Sequence, residues 1–149
     1  MKHISFITLA LLLFAACGNR SAETTAPQVE EQTTKVIHLT KADFITKVFN
    51  YETATEWKYL GDKPAVIDFY ATWCGPCKVM SPILDELSVQ YADSIYFYKI
   101  DVDKEQELSA AFGIRSIPTL FFIPLSGTPQ VLEGALPKED VVKMIQQIQ

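Results

Sequence analysis

Pro64-Ala65-Val66-Ile67-Asp68-Phe69-Tyr70-Ala71-Thr72-Trp73-Cys74-Gly75-Pro76-Cys77-Lys78 carries two kinds of order within fifteen residues. Ala65 to Tyr70 is a short, nearly continuous apolar run behind a proline, the pattern of a strand covered on both faces. From Cys74 the period changes. Cys77, Met80, Leu84, Leu87 and Tyr91 step by 3, 4, 3 and 4 residues, which is one face of a helix. Pro82 lies inside that helix, removes one backbone hydrogen bond and predicts a kink. A buried strand therefore hands over to a helix at a pair of cysteines.

Downstream, Ile95 to Ile100 reads as a second buried strand, followed by a short helix carrying Leu108, Ala111 and Phe112. Thr119–Ile123 and Gln130–Glu133 bracket Ser126-Gly127, a hairpin signal. Pro137 opens a last helix, with Glu139 and Asp140 in the first turn where the helix dipole favours them. Val141, Ile145 and Ile148 form its inner face. Upstream, Lys35 to Leu39 is a short strand, and Thr40 with Asp43 resembles a capping box. Phe44 and Val48 lie one turn apart on the helix that follows, which is expected to run on irregularly through Asn50–Lys63. The order β-α-β-α-β-α-β-β-α predicts an α/β fold, a mixed central β-sheet with helices on both faces.

The length of 149 residues bounds the chain to one domain of ordinary size. With 13 Lys and Arg against 18 Asp and Glu, the net charge is −5. No run of five basic residues occurs, which argues against a nucleic-acid backbone as partner. Three cysteines are too few for a disulfide-stapled mini-fold, and 11% aromatic content fills a normal core unaided.

The first residues have a different character. After Lys2 and His3, Ile4 to Ala16 are thirteen largely apolar residues, short of the about 20 needed to span a membrane. A basic start, a short apolar stretch and then small residues read as a signal peptide over residues 1–16. Leu13-Phe14-Ala15-Ala16-Cys17-Gly18 resembles the lipobox of bacterial lipoproteins, whose cysteine becomes the new N-terminus and is lipidated. Phe14 stands where leucine is usual. A plain secreted protein is the alternative, although no good Ala-x-Ala site lies nearby. Stable anchoring needs more than one acyl chain. Gly18 to Thr34 is polar without an apolar period and reads as a flexible tether spanning about 20–25 Å. The expected division is a signal peptide at 1–16, lipidated Cys17 and tether at 17–34, and one domain at 35–149 in a bacterial periplasm.

The cysteine pair has three readings. A zinc site needs four ligands, and beyond the pair only Cys17, His3 and His38 remain, two of them removed by the leader and the lipid. No metal site is expected. An inert structural disulfide closing so small a loop stabilises little. A reversible redox pair has a physical basis. Cys74 sits at a helix N-terminus, where unsatisfied N–H groups and the dipole favour an anion by about 1–2 kcal/mol. That lowers a thiol pKa from about 8.5 toward about 7, and a thiolate of this kind attacks disulfides near-optimally at neutral pH. Cys77, one turn inside, should be less exposed and remain a thiol until needed.

Asp68 to Lys78 resembles the active-site strand and turn of thioredoxins. The similarity continues through Pro82, Asp101-Val102-Asp103, Gly113 to Thr119, Gly127 and Gly134-Ala135-Leu136, covering residues 35–149. Thioredoxins themselves hold their attacking thiol near pKa 7, so the dipole argument is one of consistency. The resemblance implies a thioredoxin fold and a protein-disulfide reductase, with no cofactor beyond the redox-active Cys74–Cys77 disulfide. Cys74 would be the nucleophile and Cys77 the resolving thiol. Pro118 would be a cis-proline facing the pair, the Ile117 backbone holding substrate like an added strand. Trp73, Gly75, Pro76, Gly134 and Ala135 would line the apolar surface that receives it.

Asp68, buried among apolar neighbours, should have a raised pKa, opposed by Lys99 if that residue is close. Such an acid can take the proton from Cys77; the alternative is an Asp bonded to nearby backbone. Three features depart from the family: Tyr70 where tryptophan is common, Glu133 at a rim position usually apolar, and a longer Asn50–Lys63 insertion whose aromatics read as packing. Gly75-Pro76 favours the reducing type. The implied partners are disulfide-containing clients, a transmembrane thiol reductant that recycles the domain in an oxidising compartment, and a membrane through the lipid. The domain would act as a monomer. A disulfide oxidant or isomerase, and a scaffold or chaperone with idle thiols, are the rival readings.

The leader generates the first prediction. Cys17→Ala should move the protein from the membrane fraction of cells to the soluble fraction; unchanged fractionation would reject lipidation.

Overall fold

The computed structural model describes residues 33–149; the leader, Cys17 and the tether up to residue 32 lie outside them. The elements run β1 (Ile37–His38), α1 (Lys41–Lys47), β2 (Ala65–Tyr70), α2 (Gly75–Gln90), β3 (Tyr96–Asp101), α3 (Gln106–Ala111), β4 (Thr119–Ile123), β5 (Gln130–Glu133) and α4 (Lys138–Ile148). The sheet order is β1-β3-β2-β4-β5. β1 and β2 run parallel to β3, whereas β4 is antiparallel to β2 and to β5. This is the mixed sheet that the element order predicts.

The continuous apolar character of β2 follows from its central place. Ile67 and Phe69 pack with Phe44 and Leu108 on the side of α1 and α3. Val66 packs with Met80, Leu84 and Leu87 of α2 and with Val141 and Ile145 of α4 on the other. Successive strand residues face opposite sides, so Asp68 points to the side of Val66, beneath α2. Its Cα neighbours across the sheet are Lys99 and Leu120. The stepped residues Cys77, Met80, Leu84 and Leu87 are the buried face of α2, which continues through Pro82.

The first helix does not run on. It starts with the expected Thr40–Asp43 capping box and ends at Lys47. The Phe49 amide turns back to the Phe44 carbonyl oxygen at 3.0 Å, and the Leu60 amide reaches the Val48 carbonyl oxygen at 2.9 Å. Tyr51, Trp57 and Tyr59 pack against the core, with the Phe49 and Trp57 rings 4.6 Å apart and those of Tyr51 and Phe112 5.5 Å apart. Aromatics spaced at 51, 57 and 59 do not share one helical face, and burying them requires an irregular loop. Thr34, placed in the tether by composition, is docked: its hydroxyl donates to the Asp85 carboxylate at 2.9 Å, and the Lys35 amide donates to Ser88 Oγ at 2.9 Å.

Phe44 is fully buried and meets Phe112 at 4.9 Å between ring centroids. Phe44→Ala should cost about 3–5 kcal/mol, read as a lowered midpoint in urea unfolding at unchanged slope.

Candidate active site

Strand β2 delivers the chain through Ala71-Thr72-Trp73 to Cys74, which is the N-cap of α2 with extended φ −74° and ψ 115°. Its sulfur accepts the Cys77 amide N–H at 3.1 Å. A side chain at this position faces the free amides of the first turn, and here a sulfur takes the place of the usual oxygen. Cys74 and Cys77 are joined by a disulfide with their Cα atoms 5.3 Å apart.

The two cysteines are equally closed off, at 3% and 2% exposure. In this oxidised form the expected difference, with Cys77 the less exposed, is small. In the oxidised form the pair sits in a small apolar cluster with Ala71, Tyr70, Val102 and Ile117, and the cluster covers both sulfurs.

The Ile117–Pro118 peptide is cis. The Ile117 carbonyl oxygen lies 3.7 Å from Cys74 Sγ, which places this loop against the pair. Gly134, at φ +90°, donates its amide to the Pro118 carbonyl oxygen at 2.8 Å. The left-handed conformation there suits glycine and lets the end of β5 close on the loop. The Leu136 amide reaches Met80 Sδ at 3.2 Å, tying Gly134-Ala135-Leu136 to α2. Around the cysteines, Trp73 is 67% exposed, Gly75, Pro76 and Ala135 are exposed, and Ile117 and Gly134 are half-buried.

Two polar contacts organise this rim. Trp73 Nε1 donates to the Asp103 carboxylate at 2.7 Å, which holds the exposed indole in one orientation. The Ser116 hydroxyl donates to the Glu133 carboxylate at 2.6 Å. The role of Asp103 was not legible from its position in a motif. The signal that could have found it is the need of an indole N–H for a partner. A cleft of about 170 Å³ lies between Trp73 and the Ile114–Ile117 loop. A larger hollow of about 430 Å³, lined by Ile37, Leu60, Asp62 and Tyr96, contains none of these residues, so size does not locate the chemistry.

Asp68 is fully buried, and neither carboxylate oxygen has a hydrogen-bond partner. The alternative of an Asp bonded to nearby backbone is therefore not what the structure has. Burial pushes its pKa up to about 7, with Lys99 opposing the rise and Asp85 adding to it. Lys99 is close enough to act on Asp68 but is engaged elsewhere. Its ammonium donates to Ser81 Oγ at 2.9 Å, lies 3.9 Å from the Asp85 carboxylate and stands 5.7 Å from the Tyr70 ring centroid. Ser81 and Asp85 were missed in the sequence, where their only signal is the spacing of four from Cys77. Among the described residues no group of three or more His, Cys, Asp or Glu side chains could hold a metal.

Residues 35–147 match the family model described as Thioredoxin. A thioredoxin of Borreliella burgdorferi is 53% identical over 110 residues, covering 72% of this chain and 94% of its own. A thioredoxin of Haemophilus influenzae is 40% identical over 113 residues, covering 76% and 96%. Among solved structures, that of chloroplastic thioredoxin z superposes with a TM-score of 0.65 at 27% identity, covering 76% of this chain and 94% of its own.

The buried carboxyl predicts a pH dependence of stability. Asp68 ionises near 3.8 when unfolded and near 7 when folded, so the folded state holds the extra proton between these values. Its contribution to stability is complete below about pH 4 and is lost as pH rises through 7. Asp68→Asn, which mimics the protonated form, should stabilise the oxidised protein by about 2–4 kcal/mol at pH 8 and by little at pH 4. Urea unfolding at the two pH values checks this.

Proposed function

The chain belongs to the thioredoxin family of thiol-disulfide oxidoreductases, and on that premise we propose that it reduces protein disulfides outside the cytoplasm while tethered to a membrane. The observation that carries the chemistry is the Cys77 amide aimed at Cys74 Sγ at 3.1 Å on the first turn of α2. The same amide, with the helix dipole behind it, would stabilise a thiolate at that sulfur.

The steps follow from the residues. Cys74 thiolate attacks one sulfur of a client disulfide. A Cys74–client bond forms, the client S–S bond breaks, and the departing client thiolate takes a proton from solvent. Asp68 then accepts the Cys77 thiol proton, and Cys77 thiolate attacks Cys74 Sγ. The Cys74–Cys77 bond forms, the Cys74–client bond breaks, and the second client sulfur leaves and is protonated. The client gains two electrons from the cysteine pair and two protons, one taken from solvent and one that balances the Cys77 proton passed to Asp68. A carboxyl ionising near 7 is matched to this transfer at neutral pH. Ile117 and Pro118 would hold the client chain beside Cys74, and Trp73, Gly75, Pro76, Gly134 and Ala135 would receive its apolar side chains.

The place of action rests on the leader. A signal peptide at 1–16, lipidation at Cys17 and the polar tether that follows would put the domain on the periplasmic side of a bacterial membrane. There an oxidised domain must be recycled, which calls for a transmembrane thiol reductant as partner.

Cys77→Ser tests the mechanism. The variant should accumulate client proteins bound to Cys74 and releasable by dithiothreitol, whereas Cys74→Ser, Cys77→Ser should capture none. Absence of reducible adducts on the single variant would overturn the reading.

A further inference from the structure

Asp68 and Lys99 are Cα neighbours on adjacent parallel strands and face the same side of the sheet. Opposite charges so placed normally pair, and an unpaired buried carboxylate is costly. Yet both Asp68 oxygens are without partners, while the Lys99 ammonium bonds Ser81 and faces Asp85. Both residues that engage it come from α2. Cys77, Ser81 and Asp85 are spaced by four and so lie on one stripe of that helix. Asp85 is itself held in place, because its carboxylate accepts the Thr34 hydroxyl at 2.9 Å.

We propose that Ser81 and Asp85 are positioning residues that hold the Lys99 ammonium off Asp68, leaving that carboxyl free to exchange a proton with Cys77. The inference rests on the reductase mechanism above and adds to it the part that sets the proton acceptor. A Lys99–Asp68 ion pair would keep the carboxylate ionised and make it a poor base. With Lys99 drawn toward α2, the ammonium is near enough to moderate Asp68 and too engaged to neutralise it.

The charged and titratable groups around Asp68 are few. Lys99 comes from β3, Asp85 from α2 and Tyr70 from β2, while β4 presents Leu120. Lys99 also lines a hollow of about 190 Å³ with His38, Tyr70, Asp101 and Lys104.

The test is a carboxyl-carbon NMR titration of the oxidised full chain, labelled at aspartate. In Ser81→Ala the ammonium should settle on Asp68 and lower its midpoint by roughly one pH unit. Asp85→Asn should lower it further, since a like charge is also removed. In a Lys99→Met background Ser81→Ala should move nothing. The acid limb of the pH profile for release of a Cys74-bound client peptide should shift with the midpoint. An unmoved midpoint in Ser81→Ala, an equal shift without Lys99, or a release profile that ignores the midpoint would each overturn the proposal. The titration needs no client, so it can fail while adduct trapping on Cys77→Ser succeeds, and the reverse.

Discussion

The site exists because β2 is covered on both faces and ends at the first turn of α2. Burial of Ile67 and Phe69 on one side and Val66 on the other holds the strand at the centre of the sheet, between β3 and β4. That position fixes the direction in which the chain leaves the strand. Four residues later Cys74 is the N-cap of a helix whose own apolar face is pinned to the same core. The Cys77 amide therefore meets a sulfur that a strand and a helix hold in place, and the Ile117–Pro118 loop contributes the opposite wall.

The same burial creates the electrostatic tension of the site. Alternation along β2 puts Asp68 under α2, where it is fully buried and no protein group hydrogen-bonds to it. Such an arrangement is destabilising at neutral pH, and strain of this kind clusters where a group must change its protonation state in function. A lysine on the neighbouring strand supplies a positive charge, but its bonds go to the helix above. Carboxyl and ammonium are thus near neighbours with separate partners.

Much of this was legible along the chain. The period change at Cys74, the hairpin around Ser126-Gly127 and the capping box at Thr40 each rest on neighbours within a few residues. The structure reproduces all three. The end of α1 was not legible, because what stops it is the burial of Tyr51, Trp57 and Tyr59 against residues far along the chain, Phe112 among them. Thr34 was likewise read as tether, since its partners Asp85 and Ser88 are about fifty residues away.

From sequence alone came the fold class, the cysteine pair at a strand-to-helix junction, and a carboxylate placed where its charge is costly. All of these follow from periodicity and composition, which act locally. Only the tertiary structure decided where Lys99 points, which rim groups hold Trp73 and Glu133, and how closely both sulfurs are covered. Those outcomes depend on competition between partners brought together from different elements. A side chain with several acceptors in reach chooses by distance and burial, and neither is written in the order of the residues.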